Sequence, residues 1–177
     1  MNGPVKNSYC VVKDHVYAGE FPGSLDLDES SARLESFLAF GINCFIDLTE
    51  GVPEPGKAAP YQSLLSQVAS ELGVQVEHHN LIIEDLSIPS LSGMKEIQDL
   101  IESQVSLGNK VYIHCWGGVG RTGTTVGCYL CRGSKNGDEA LAKTQVFFET
   151  MPKEKVGERK SPQNKEQRDF VRLWAKQ

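Results

Sequence analysis

One glycine-rich segment carries the residue types best suited to chemistry. It covers residues 114–123, reads HCWGGVGRTG, and lies between a short apolar run and a predicted helix. Backbone N–H groups turn inward at such a junction and the helix N-terminus carries partial positive charge, so the segment favours an anion. Its glycines let the backbone close around a phosphate, and Arg121 can bind two phosphate oxygens at once. The sequence therefore predicts a phosphate site.

The same segment contains a nucleophile. The N–H groups and the guanidinium that attract phosphate also stabilise the thiolate of Cys115. The predicted phosphate ligands are the backbone of Trp116, Gly117, Gly118, Val119 and Gly120 together with the side chain of Arg121. The Trp116 ring has two interpretations, stacking on an aromatic substrate edge or packing against a neighbouring loop.

Two nucleotide-binding motifs are close to this pattern, and both are disfavoured. Residues 118–123 match G-x-G-x-x-G, with Asp138 about 20 residues further on. That fingerprint belongs to the first strand-to-helix turn of its fold, whereas several elements precede this one, and Asp138 begins a helix. The nucleotide P-loop needs a lysine where this chain has Thr124.

The complete segment resembles the signature H-C-x5-R-[ST]-G of the cysteine-dependent protein tyrosine phosphatases. The resemblance implies that Cys115 attacks phosphorus to form a phosphocysteine while Arg121 binds the transferring group. It further implies that the Thr122 hydroxyl hydrogen-bonds the leaving thiolate, and that His114 orders the loop and supports the thiolate. Such a phosphoryl transfer depends on oriented donors, so no cofactor and no metal are expected.

Displacement of an alkoxide or phenoxide needs an acid to protonate the leaving oxygen, and Asp85 is the first candidate. It lies just beyond a predicted strand and four residues before Pro89. The segment resembles the acid loop P-I-x-D-x-x-x-P of the same family, with Ile82 in place of the first proline. In the alternative, Asp85 only caps a turn; Glu84 and then Asp47 are the further candidate acids.

Hydrolysis of the phosphocysteine needs a positioned water. Residues 163–167 resemble the Q-T-x-x-Q segment of tyrosine phosphatases, with Asn164 in place of the threonine. The resemblance implies that Gln163 orients the water while Asp85 acts as base. The alternative is that these glutamines cap the last helix and face solvent.

Strand and helix patterns alternate along the whole chain. Strands are predicted at 16–19, 42–48, 74–83 and 110–114, and helices at 31–40, 61–72, 94–105, 122–131, 138–151 and 165–176. This order favours an α/β fold with a central, mostly parallel sheet flanked by helices on both faces, and the resemblance implies the tyrosine-phosphatase-like form of it. The Pro/Gly-rich residues 51–60 and the charged residues 153–160 are predicted surface loops near the substrate rim.

Two histidines and two cysteines outside these motifs are predicted to have no part in the chemistry. Cys128 and Cys131 have the C-x-x-C spacing of redox and zinc sites, but they lie in an apolar helical stretch, which favours core packing. His78 and His79 alternate along a predicted strand and are expected to be structural or solvated.

Composition limits the class of protein. The 177 residues are 40% hydrophobic with net charge −5, which predicts one domain over residues 1–177 and excludes the basic surface of a nucleic-acid binder. Five cysteines, an odd number, favour a reducing compartment. Since no signal peptide or membrane span is predicted, a cytoplasmic monomer is expected, with no membrane partner.

The predicted activity is that of the compact, dual-specificity branch of the family. The substrate is a protein or peptide carrying phosphotyrosine, phosphoserine or phosphothreonine. A lipid, inositol or sugar phosphate is the alternative substrate, although lipid-specific relatives have lysines inside the loop and this chain has none there. A catalytically silent phosphate-binding module is the alternative from another class.

Overall fold

A computed structural model describes residues 3–51, 58–157 and 159–177. Its centre is a five-stranded sheet with the spatial order β1-β2-β5-β3-β4. The strands are β1 Ser8–Val12, β2 Val16–Gly19, β3 Ile42–Asp47, β4 Glu77–Asn80 and β5 Lys110–His114. β1 is antiparallel to β2, and all the other pairs are parallel, so the sheet is mostly parallel as predicted.

Helices cover both faces of the sheet. They are α1 Leu27–Ala39, α2 Gln62–Leu72, α3 Leu91–Ser106, α4 Gly120–Ser134, α5 Gly137–Phe148, α6 Lys153–Val156 and α7 Lys165–Trp174. Successive strand residues face opposite sides, so Tyr112 packs into an aromatic core under α1 and α2 while Val111 and Ile113 pack into an aliphatic core under the later helices. The predicted fold class is confirmed. In the described ranges no helix has the length and apolar character that a membrane span requires.

Most of the long helices begin at a side-chain cap, and α4 is an exception. Asp26, Ser90, Asn136 and Asn164 each accept hydrogen bonds from N–H groups in the first turn of α1, α3, α5 and α7. The corresponding residue of α4 is Val119, whose side chain offers no acceptor. The first N–H groups of α4 therefore lack a side-chain cap, as an anion site at a helix N-terminus requires.

The structure differs from the predicted elements in three main places. The strand Ser8–Val12 was missed; it forms a hairpin with β2 through a tight turn in which Asp14 has a φ of +65°. β4 spans only Glu77–Asn80, since it pairs with β3 along those four residues. Part of the predicted charged loop is the short helix α6, which the buried Val156 anchors. Most of the predicted loop at 51–60 lies outside the described residues.

Candidate active site

The predicted site residues converge at one edge of the sheet, where the parallel strands β5, β3 and β4 all end. Backbone hydrogen bonds continue past the strand ends: Leu48 N–H donates to His114 O over 2.9 Å, and Ile83 N–H donates to Leu48 O over 3.1 Å. The segment after β5 carries Cys115, the segment after β3 carries Glu50, and the segment after β4 carries Asp85. Ligand sites of α/β sheets form at this edge.

Two glycines explain how the loop after β5 packs. Gly118 has a φ of +68°, and a Cβ there would lie 2.5 Å from Gly19 O at the end of β2. A Cβ on Gly123 would overlap the Ser161 hydroxyl, which donates to Val119 O over 2.8 Å. The loop is therefore pressed between β2 and the segment that leads to α7, and only glycine fits at these two positions.

Arg121 lies in the first turn of α4 with only 1% of its surface exposed, and Cys115 at the start of the loop is 3% exposed. Arg121 Nη1 donates to Ile83 O and to Glu50 Oε2, both over 2.9 Å. Its Nη2 lies 2.9 Å from Asp85 Oδ1, but makes no hydrogen bond of good geometry with any described residue. The guanidinium is thus fixed through one nitrogen, while the other keeps hydrogen-bonding capacity for an anion.

Glu50 is the main site residue that the sequence motifs did not reveal. Its carboxylate accepts from Arg121 Nη1 and, over 2.8 Å, from the backbone N–H of Asp85. Partial burial opposes ionisation, but the hydrogen bonds from Arg121 and Asp85 hold the pKa of the Glu50 carboxyl below its ordinary value. The available signal was an acidic residue three positions beyond Asp47, the end of a buried parallel strand, at the edge where the glycine loop had been predicted.

The structure separates the three candidate acids. Asp85 is 64% exposed and forms the ion pair with Arg121. Glu84 is exposed, and Asp47 is buried below the loop, where it accepts from Thr49 N–H over 2.8 Å. Burial opposes ionisation of Asp47, but its hydrogen bonds and nearby histidines hold its pKa below the ordinary value. Of the three carboxylates, Asp85 is the one placed against Arg121 with solvent access.

His114 is buried under the loop between Tyr61 and the Cys115 backbone. Tyr61 Oη lies 2.6 Å from its Nε2, and its Nδ1 lies 3.4 Å from Cys115 O. A carbonyl can only accept, so in this arrangement Nδ1 carries the proton and Nε2 accepts from the Tyr61 hydroxyl. Complete burial lowers the pKa of His114 to about 4, against the attraction of Asp47. At neutral pH the imidazole is therefore neutral, and it links Tyr61 to the first carbonyl of the loop.

Thr122 and Trp116 lie at opposite ends of the loop. The buried Thr122 hydroxyl donates to Gly19 O over 3.5 Å. The Trp116 ring packs on Phe21, with ring centroids 4.4 Å apart, and Trp116 O accepts from Phe21 N–H over 3.0 Å. Of the two interpretations of the Trp116 ring, the structure shows packing against a neighbouring segment.

The start of α7 lies against the first turn of α4. A Cβ on Gly120 would lie 2.9 Å from Gln167 Nε2 and 3.3 Å from Gln163 Oε1. Gln167 is fully buried and its Oε1 accepts from the N–H groups of Gln163 and Asn164. Gln163 is exposed beside the loop. Both glutamines of the predicted segment therefore adjoin the end of the glycine loop, and Gln167 also completes the cap of α7.

The two cysteines and two histidines that were predicted to have no part in the chemistry lie apart from the glycine loop. Cys128 and Cys131 are buried on α4 within the aliphatic core. His78 is largely buried, with its Nε2 3.7 Å from Asp47 Oδ2, whereas His79 pairs with Glu77 over 2.9 Å at the surface.

Comparisons with known proteins agree with this geometry. A family model described as "Polymorphic toxin system, DSP-PTPase phosphatase" matches residues 29–135, more than half of the chain. The mouse dual specificity protein phosphatase CDC14B is 39% identical over 56 residues, which cover 32% of this chain and only 11% of that relative's length. The crystal structure of Tk-PTP in the active form superposes with a TM-score of 0.70 and 22% identity, covering 97% of each chain. PTPMT1 in complex with PI(5)P gives a TM-score of 0.69 and 17% identity, covering 97% of this chain and 96% of that one.

Proposed function

Because the chain belongs to the dual-specificity (DSP-PTPase) branch of the cysteine-dependent protein tyrosine phosphatases, we propose that it hydrolyses phosphotyrosine, phosphoserine or phosphothreonine in proteins through a phosphocysteine. The observation that carries the proposal is the buried guanidinium of Arg121. Its Nη2 keeps hydrogen-bonding capacity beside the uncapped N-terminus of α4 and at the end of the loop that starts with Cys115.

In the first step the phosphate dianion binds to the loop amides and to Arg121. The Cys115 thiolate attacks phosphorus, so an S–P bond forms while the P–O bond to the leaving group breaks. Asp85 gives its proton to the leaving oxygen, which departs as a neutral alcohol or phenol. Glu50 and Ile83 O hold the guanidinium in position during this transfer.

In the second step a water attacks the phosphocysteine. Gln163 orients the water and Asp85, now ionised, accepts its proton; the S–P bond breaks and inorganic phosphate leaves. The thiolate that departs from phosphorus receives a hydrogen bond from the Thr122 hydroxyl, which in the structure donates to Gly19 O over 3.5 Å. His114 keeps the loop backbone ordered throughout as a neutral imidazole.

The reaction needs a reduced thiol, which favours the cytoplasm. All five cysteines are free and buried, and oxidation of Cys115 would block the nucleophile. We place the activity in a cytoplasmic monomer that acts on phosphorylated proteins.

The decisive experiment is turnover of an aryl phosphate by Cys115→Ser in the presence of a metal chelator. We expect hydrolysis to be lost while inorganic phosphate still binds, since the loop amides and Arg121 remain. Cys131→Ser, which removes another buried thiol, is the matched control and should retain turnover. Undiminished hydrolysis by Cys115→Ser would refute the proposal, and a wild-type chain that binds phosphate without turnover would support the silent binding module instead.

A lipid, inositol or sugar phosphate remains the alternative substrate. The fold likeness to PTPMT1, whose crystal structure contains PI(5)P, gives the reason to test it. Against it, the residues between Cys115 and Arg121 are uncharged, whereas a polyphosphorylated headgroup favours added cations. Parallel rates on phosphotyrosine peptides, phosphothreonine peptides and inositol phosphates decide between them, and a preference for the inositol phosphates would contradict the protein-substrate proposal.

A further inference from the structure

The backbone of the acid loop is strained next to the acid itself. Leu86, which follows Asp85, has a φ of +60°, a left-handed conformation that residues with a side chain rarely adopt. Its side chain is 53% exposed, so burial of the leucine does not offset this conformation. Other contacts must hold the backbone there, and strain of this kind is common at functional sites.

One contact lies in the turn itself, where Ser87 N–H donates to Glu84 O over 3.0 Å, and the others come from the first residues of α7. Asn164 Nδ2 donates to Leu86 O over 2.7 Å, and Gln167 Nε2 donates to Ser87 O over 3.2 Å. The other atom of the Asn164 amide, Oδ1, accepts from Gln167 N–H over 2.9 Å and caps the helix. One side chain therefore caps α7 and holds the acid loop, which needs a donor and an acceptor on the same planar group.

The opposite end of the same short stretch is held by Glu50, which accepts from the N–H of Asp85. Asp85 is thus fixed by Glu50 at its own nitrogen and by Asn164 at the next residue's carbonyl. Its carboxylate then lies 2.9 Å from Arg121 Nη2. A threonine, the residue that Asn164 replaces in the related segment, has a single side-chain oxygen and cannot both accept from the helix and reach the loop with a separate donor.

We propose that Asn164, supported by Gln167, is a positioning residue that holds the acid loop over the phosphate site with Asp85 aimed at the leaving group. This inference rests on the proposed function, because it assigns Asp85 the acid role. In the reaction Asn164 acts through the acid loop: without its amide the Leu86 carbonyl loses a donor, and the turn that carries Asp85 is held less firmly beside Arg121.

The test distinguishes the role of Asn164 as the cap of α7 from its hydrogen bond to the acid loop. Asn164→Ser keeps a side-chain oxygen that caps α7 but loses the long amide donor, and Asn136→Ser makes the same change at the cap of α5, which has no contact with the acid loop. Two readouts are measured: the ratio of kcat/KM on phenyl phosphate to kcat/KM on 2,4-dinitrophenyl phosphate, which reports formation of the phosphocysteine and not its hydrolysis, and amide hydrogen exchange at residues 84–88.

For Asn164→Ser we expect kcat/KM on phenyl phosphate to fall about tenfold and kcat/KM on 2,4-dinitrophenyl phosphate to change less than twofold, because in the first step only the poor leaving group needs the acid. Exchange in the acid loop should rise about tenfold, while Asn136→Ser changes neither readout. An unchanged ratio together with unchanged exchange in Asn164→Ser would overturn the inference.

The exchange measurement does not depend on turnover, so it decides the role of Asn164 even if the proposed function fails. If Cys115→Ser keeps wild-type turnover, the proposed function is wrong, yet faster loop exchange in Asn164→Ser still supports the holding contact. If Cys115→Ser is inactive and Asn164→Ser behaves as wild type in both readouts, the function stands and the inference falls.

Discussion

Glu50→Gln tests whether one carboxylate couples the phosphate site to the acid loop. Glu50 accepts from two donors, Arg121 Nη1 over 2.9 Å and Asp85 N–H over 2.8 Å. Glutamine has the same shape but only one acceptor oxygen, and its NH2 group must face one of those donors. Either Arg121 or the acid loop therefore loses its partner in the variant.

The expected loss of activity in Glu50→Gln follows from the environment of the hydrogen bonds that Glu50 accepts. A hydrogen bond to a charged group contributes about 1.5–3 kcal/mol when neither side is replaced by water. The Glu50 side chain is 42% exposed, so water substitutes in part and the lower end applies, about 1.5 kcal/mol. Because about 1.4 kcal/mol corresponds to tenfold in rate, kcat/KM on phenyl phosphate should fall about tenfold. Arg121 stays folded in place, since Ile83 O still accepts from Nη1.

The assay compares kcat/KM of the wild type, Glu50→Gln and Glu166→Gln. Glu166 is an exposed acid in the first turn of α7, so its variant removes the same charge from the same side of the protein. We expect Glu166→Gln to remain within twofold of wild type. A Glu50→Gln variant as active as the wild type would show that the two hydrogen bonds do not matter, and a matching loss in Glu166→Gln would show that the effect comes from net charge.

Three further outcomes are expected. Asp85→Asn should lose about 10²- to 10⁴-fold in kcat/KM on phenyl phosphate and far less in kcat/KM on 2,4-dinitrophenyl phosphate; equal losses would remove Asp85 from the acid role. Gly118→Ala should abolish phosphate binding and lower the midpoint of urea unfolding, because its Cβ would lie 2.5 Å from Gly19 O at a φ of +68°. Its control is Gly133→Ala in α4. A Cβ at Gly133 would have no neighbour within 4 Å, so this variant should raise the free energy of unfolding by about 0.5–1 kcal/mol. The pKa of His114, lowered by burial to about 4 against 6.5 in the unfolded chain, means that the unfolded state binds more protons between these values. The free energy of unfolding should therefore fall by about 3 kcal/mol as pH falls from 6.5 to 4, and His114→Asn should flatten that slope in urea titrations.

The sequence indicated the glycine loop and its two key residues because the whole chemistry of that loop lies in consecutive positions. Cys115 and Arg121 are joined by one strand, one turn and one helix start, so local spacing places them together. Glu50 and Tyr61 belong to other segments, and their contacts with Arg121 and His114 span 71 and 53 residues of chain. Such contacts depend on strand order, which alternating patterns alone do not specify. β1 escaped detection for a related reason: its five residues are stabilised by pairing with β2 and by the burial of Tyr9 and Val11 in the core, and neither contact is visible in so short a segment.

The burial of Arg121 links the two halves of the proposed reaction. A guanidinium that is 1% exposed needs acceptors, and these come from Ile83 on the acid loop and from Glu50 after β3. Closure of the acid loop and preparation of the phosphate site are therefore one arrangement. Asp85 and a phosphate dianion would meet at the same nitrogen, Nη2.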